Sequence, residues 1–111
     1  MDSVSVKKSG IGQFKNGLGV FAGKKFKKGE IVIAYHLRLL SHEEFKALSS
    51  SEKDFVHVHK GKMYLYSLPE RYVNHSPIPN TYQDLGRKAD VALRDIKKGE
   101  EITTDATKDD V

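Results

Sequence analysis

Residues 71–80 read RYVNHSPIPN, and no other stretch limits the available folds as strongly. Pro77 and Pro79 each fix φ and remove a backbone N–H, so neither a helix nor a central strand runs through them. Asn74, His75 and Ser76, just before them, are three consecutive polar residues behind an aromatic and a valine. A chain of 111 residues buries roughly two-thirds of its extended surface and forms one core without staples. A rigid, polar segment so late in such a chain sits where the core has to close, and it calls for a reason beyond joining two elements.

The rest of the chain reads as short strands punctuated by glycine. Val4–Lys7 alternates apolar and polar residues as a half-buried edge strand does. Gly10, Gly12, Gly17 and Gly19 break up residues 9–19 before the apolar Val20-Phe21-Ala22. Ile31–Tyr35 is almost continuously apolar, which predicts a strand covered on both faces. Ser41-His42-Glu43-Glu44 has the form of a capping box opening a short helix, with Phe45 and Leu48 on one face; Ser49-Ser50-Ser51 interrupts or re-caps it. Phe55–His59 and Lys62–Tyr66 alternate on either side of Lys60-Gly61, the pattern of a hairpin. Asp90–Arg94 and Glu101–Thr104 are two further strands. FKKGEIV at 26–32 is echoed by IKKGEEI at 96–102, each with a glycine where a left-handed backbone is readily adopted only by that residue. An echo that occurs once does not make a repeat protein. The sum is a mostly β domain with short helices.

Composition removes several functions. There is no cysteine, hence no disulfide, thiolate metal site or cysteine nucleophile. No apolar run reaches the length of a membrane helix, and MDSVSVKKSG lacks the apolar region of a secretory signal. The chain is therefore expected to be soluble and intracellular, cytoplasmic or chromatin-associated, with no membrane partner. Its net charge is +4, but the 19 Lys and Arg are spread along the chain among 15 acids. That reads as a mildly basic solvated surface, and direct nucleic-acid binding is not expected. His57 and His59 lie two apart on one strand face without a third ligand at fixed spacing, so they read as surface or hairpin histidines and no metal is expected. Ser76 neighbours His75 without the strand–turn–helix elbow of a nucleophile. Glu100 and Glu101 read as solvated strand-end carboxylates. Asn16-Gly17-Leu18-Gly19 would let backbone approach a ligand closely. A strand follows it rather than a helix, which excludes a Rossmann or P-loop phosphate site; alone it reads as a hairpin turn.

Order along the chain adds more than any single motif. NGLGVFA at 16–22 precedes KKGEIV at 27–32, then RYVNHSPIPN at 71–80, then DVALRDIKKGEEITTD at 90–105. This set resembles the SET domain of protein-lysine methyltransferases over nearly the whole chain. The glycine pair and the KKGE turns are weak signals by themselves; the central segment is specific.

The resemblance implies a SET fold of small sheets with a C-terminal pseudoknot, filling residues 1–111 as a single domain with no post-SET zinc segment. It implies S-adenosylmethionine as cofactor, met by the backbone of Asn16, Gly17, Leu18 and Gly19 and hydrogen-bonded by Asn74 and His75. The implied reaction is transfer of its methyl group to a lysine side chain of a protein substrate. In the family the NHS segment and the last strand thread against each other, so Pro77 and Pro79 would stiffen a threaded stretch whose polar groups satisfy buried backbone. The family's cysteine after NHS is Pro77 here. Six residues beyond Glu100, where the family has a tyrosine that borders the lysine channel, stands Ala106. Tyr35, Tyr64, Tyr66 and Tyr82 are the remaining candidates for that wall, with Tyr35 taken as the catalytic one. The alternative expectation is a catalytically impaired SET module that binds the cofactor, a peptide, or both. A homo-oligomer whose partner chain completes the channel is compatible with either.

Overall fold

A computed structural model of the chain describes residues 3–10 and 17–105. The expected hairpin joins β5 (Val56–His59) to β6 (Lys62–Leu65). Lys60 and Gly61 take φ of 52° and 77°, the two positive values a tight turn between twisted strands demands. The capping box also forms: Ser41 Oγ accepts the Glu44 N–H at 3.1 Å and a Glu44 carboxylate oxygen accepts the Ser41 N–H at 2.9 Å. It opens α1 (His42–Ala47), and Ser49 re-caps the chain into α2 (Ser50–Lys53). A single 3-10 turn covers Glu70–Tyr72.

The remaining strands are β1 (Val4–Lys8), β2 (Leu18–Ala22), β3 (Ile31–Ala34), β4 (Arg38–Leu40), β7 (Asn74–His75), β8 (Thr81–Asp84), β9 (Ala89–Ala92) and β10 (Glu101–Thr104). They form three small sheets, ordered β1-β2-β10-β7, β3-β9-β8 and β4-β6-β5. All pairings are antiparallel except β10 with β7. Val20, Ala22, Phe26, Val32, Ile33, Val73, Ala92, Ile96 and Ile102 build the core. Among the described residues no helix is long and apolar enough to cross a membrane.

Two strand expectations change. β3 lies at a sheet edge and is covered only in part: Val32 and Ile33 are buried, while Ile31, where the register shifts by a bulge before Ile33, is 46 % exposed. The strand expected at 90–94 runs over Ala89–Ala92 instead, and Leu93 and Arg94 enter a turn.

The echoed turns occupy corresponding places. Each residue of the second lies 70 positions after its counterpart, Ile96 after Phe26 and Gly99 after Gly29. The two turns bond each other reciprocally. Phe26 and Ile96 exchange both backbone hydrogen bonds, at 2.9 and 2.8 Å. The Gly29 N–H donates to Ala92 O while the Gly99 N–H donates to Ala22 O, and the Ala22 and Ala92 N–H groups return to Glu100 O and Glu30 O. Gly29 and Gly99 hold nearly equal φ, 89° and 91°, the left-handed region in which a side chain is strained. Two β–turn–β units are thus interlocked about a local pseudo-twofold axis.

Candidate functional site

RYVNHSPIPN enters the fold tightly fastened. The Arg71 guanidinium forks onto both Glu52 carboxylate oxygens at 3.0 Å, lies 4.4 Å from the Phe55 ring centre, and donates through Nε to Tyr66 O. Glu52 is held below the usual carboxylate range, chiefly by its hydrogen bonds with Arg71. Immediately afterwards β7 runs parallel to β10, pairing Asn74 with Thr103 and His75 with Thr104.

Past the prolines the chain returns to the same strand. Asn80 Nδ2 donates to Glu101 O at 2.8 Å and its Oδ1 accepts the Thr103 N–H at 2.9 Å. The carboxamide serves β10 as a neighbouring peptide unit would. Thr81 Oγ1 adds a donation to Thr103 O at 2.7 Å. The proline segment therefore holds the last strand from both edges: Ser76, just past β7, donates to Thr104 O, while Asn80 and Thr81 bond the alternate residues Glu101 and Thr103. A parallel pairing two residues long does not persist alone, and these side-chain bonds supply what the short ladder lacks.

Asn74 is the hub where three parts of the chain meet. It is 5 % exposed, and its Nδ2 donates at 2.9 Å to both Leu18 O and a Glu101 carboxylate oxygen. The other Glu101 oxygen accepts Ser9 Oγ at 2.6 Å, and the Ser9 N–H donates to Gly17 O at 2.7 Å. Gly17 has φ of 72°. At Gly19 a Cβ would stand 2.4 Å from a Glu101 oxygen, 2.8 Å from Ser9 Cβ and 3.0 Å from Asn74 Nδ2. Glycine is required there so that Asn74 and Glu101 can lie against the backbone of β2. With both amide hydrogens used inside the protein, Asn74 offers a ligand its carbonyl oxygen, an acceptor. His75 is exposed beside it, with Nδ1 3.7 Å from Asp105.

Of the sequence-derived site residues, Gly17, Leu18, Gly19, Asn74 and His75 come together here. Asn16 and Ala106 lie outside the described residues. Ser9, Glu101 and Asn80 were not foreseen in these roles. Glu101 corrects the reading of a solvated strand end: it is half-buried and ties β1 to Asn74. Glu100 is also half-buried; it pairs with Arg94 at 2.9 Å, accepts the Lys97 N–H, and is held below the usual carboxylate range chiefly by the Arg94 hydrogen bond.

A second polar group surrounds Tyr35. Its hydroxyl donates to Asp90 on β9, its N–H donates to Lys88 O, and its ring lies 5.7 Å from that of Tyr66. Burial first, and the Asp90 charge second, push the Tyr35 phenol above its ordinary range. Gln83 Nε2 donates to the Tyr66 hydroxyl at 2.6 Å, and that hydroxyl shares a 2.7 Å hydrogen bond with His59 Nε2. The rings of His57 and His59 do share a strand face, 6.4 Å apart and nearly parallel. His59 is not a surface residue, however: it is 5 % exposed, and Tyr66 supplies its partner. Tyr82 is exposed, and Tyr64 pairs with His57 across the hairpin. Among the described residues no group of three His, Asp or Glu side chains is placed to hold a metal ion.

Comparison with known proteins agrees with this geometry. The profile of the SET domain family matches residues 17–105. The crystal structure of a Plasmodium falciparum putative histone methyltransferase superposes with a TM-score of 0.71 at 26 % sequence identity, over 95 % of this chain and 93 % of that one. No curated protein matches the chain.

Proposed function

The chain belongs to the SET domain family, and from that premise we propose that it transfers a methyl group from S-adenosylmethionine to a lysine side chain of a protein substrate. One observation carries the cofactor half of this reading: the Asn74 carboxamide is locked between Leu18 O and Glu101, which leaves its carbonyl oxygen to accept from a ligand. These residues suit the amino-acid portion of such a cofactor. Asn74 Oδ1 would accept from its amino group, and the Gly17–Gly19 backbone would lie against it. When bound, S-adenosylmethionine supplies an electrophilic methyl group.

The protein's own contribution is alignment, water exclusion and proton control. A substrate lysine entering a water-poor site gives up its proton more readily because burial disfavours the ammonium. Tyr35 does not take that proton: its phenol is held protonated by burial and by the Asp90 carboxylate. The role open to it is that of a fixed hydrogen-bonding wall. Ala106, where the family has a channel tyrosine, motivates a second reading, a module that keeps the cofactor pocket with impaired turnover.

A paired assay of the native chain and Ala106→Tyr with radiolabelled cofactor and mixed protein acceptors tests the proposal, with calorimetric titration of the cofactor alongside. Methyl incorporation into lysine by the native chain is the expected result. Binding with turnover only in Ala106→Tyr would establish the impaired module. Absence of both binding and turnover in two folded proteins would overturn the proposal.

A further inference from the structure

Charge spread along the chain becomes concentrated when the two echoed turns meet. Lys24, Lys25, Lys27 and Lys28 come from one turn; Arg94, Lys97 and Lys98 come from the other. All seven are exposed. Against them the turns carry three acids, Glu30, Asp95 and Glu100. The excess of four equals the net charge of the whole chain, so the remaining residues balance and the protein's basicity belongs to this double turn.

The acids there close the turns rather than neutralise the lysines. Glu30 accepts the Lys27 N–H at 2.6 Å, Asp95 the Lys28 N–H at 2.9 Å, and Glu100 the Lys97 N–H at 2.8 Å while pairing with Arg94. Among the described residues none of the six lysines forms an ion pair within 4 Å; Lys24 lies over the Phe26 ring at 5.1 Å. Phe26 and Ile96 point into the core from the bridge between the turns. Their neighbours Lys25, Lys27, Asp95 and Lys97 are all exposed, as the two-residue alternation of extended chain requires. The antiparallel register of that bridge sets Lys27 opposite Asp95 and Lys25 opposite Lys97, and the second is a like-charge juxtaposition that is destabilising in a cross-strand pair. A fold that keeps such a face has lysines available to an external anion.

We infer that the paired 23–30 and 93–100 turns form a docking face for the phosphate backbone of duplex nucleic acid. Lysines meet phosphates as point charges and carry no base readout. The only aromatic ring in the two turns, Phe26, is buried, so this face offers no platform for stacking unpaired bases. Binding here is sequence-independent and does not depend on methyl transfer.

Anisotropy titration of a short fluorescein-labelled DNA duplex at several salt concentrations tests the inference. Neutralising about four phosphates gives a slope of log Kobs against log[salt] of roughly −3.6, a loss of about 150-fold between 50 and 200 mM salt. Lys25→Gln with Lys97→Gln is expected to make that slope shallower by about two, while thermal unfolding stays level or rises because a repulsive pair has gone. Lys60→Gln with Lys62→Gln, on the β5–β6 hairpin, should leave the slope unchanged. The inference is overturned by a slope near zero in the native chain, by an equal loss in the hairpin variant, or by binding to phosphatidylserine vesicles without binding to duplex.

Discussion

Replacing Gly19 by alanine puts the site's construction to the test with a single carbon. The new Cβ would sit 2.4 Å from a Glu101 oxygen, 2.8 Å from Ser9 Cβ and 3.0 Å from Asn74 Nδ2, all inside normal contact distance. A flexible carboxylate could ordinarily swing away. Here both Glu101 oxygens are engaged, by Ser9 and Asn74, and Ser9 is fixed through its backbone bond to Gly17. Overpacking of this kind costs about 1–3 kcal/mol. Alanine recovers roughly 0.5–1 kcal/mol of chain entropy relative to glycine in a strand, so the net loss is about 1–2 kcal/mol. In a domain of this size that lowers Tm by about 5–15 °C. Gly10 is the control, because a Cβ there has no heavy atom within 4 Å. Thermal unfolding of Gly19→Ala and Gly10→Ala, with calorimetric titration of S-adenosylmethionine, gives both readouts. Gly19→Ala should melt lower and bind more weakly, since Asn74 has to leave Leu18 or Glu101. If the two variants melt together and bind alike, the close packing argued for Gly19 is wrong.

Two further outcomes follow from the same structure. Asn80→Ala orphans the Glu101 carbonyl and the Thr103 N–H of β10, each worth about 1–3 kcal/mol when buried without a partner, so urea unfolding should show a loss of about 2–6 kcal/mol. Tyr35 has a folded-state pKa raised above its ordinary 10.0, so its stabilising contribution is complete below pH 10 and declines as pH rises beyond it. The stability difference between the native chain and Tyr35→Phe should therefore shrink in alkaline urea titrations, and a constant difference would contradict the Asp90–Tyr35 pairing.

The features legible in the sequence were those whose cause is local. The capping box at Ser41, the Lys60-Gly61 hairpin and the glycines of the two KKGE turns each act within about four residues, and the structure has all of them. The Asn74 segment was legible as a motif but not as a mechanism. Glu101 holds Ser9 from 92 residues away and Asn74 from 27, so along the chain it reads as one more carboxylate after a turn. The polar layer of Tyr35, Asp90, Gln83, Tyr66 and His59 was hidden for a related reason: its members come from β5, β8, β9 and the residues just after β3 and β6, in two different sheets. Ile31 misled because an apolar run says nothing of a bulge. The basic face is not legible along the chain because the two turns that supply it lie 70 positions apart and only the fold joins them.

The reciprocal bonding of those turns also bears on how the chain reaches its native state. Gly29 and Gly99 each complete their turn on a carbonyl belonging to the other unit, so neither unit finishes before the other is present. Closing a loop of that span precedes any gain from the contacts it permits, which is the condition for slow folding. On the ribosome, the first β–turn–β unit would emerge long before its complement and wait with Phe26 uncovered. An N-terminal fragment ending before Leu93 should therefore behave as a collapsed, aggregation-prone chain, and mixing it with the missing C-terminal piece should restore order to both.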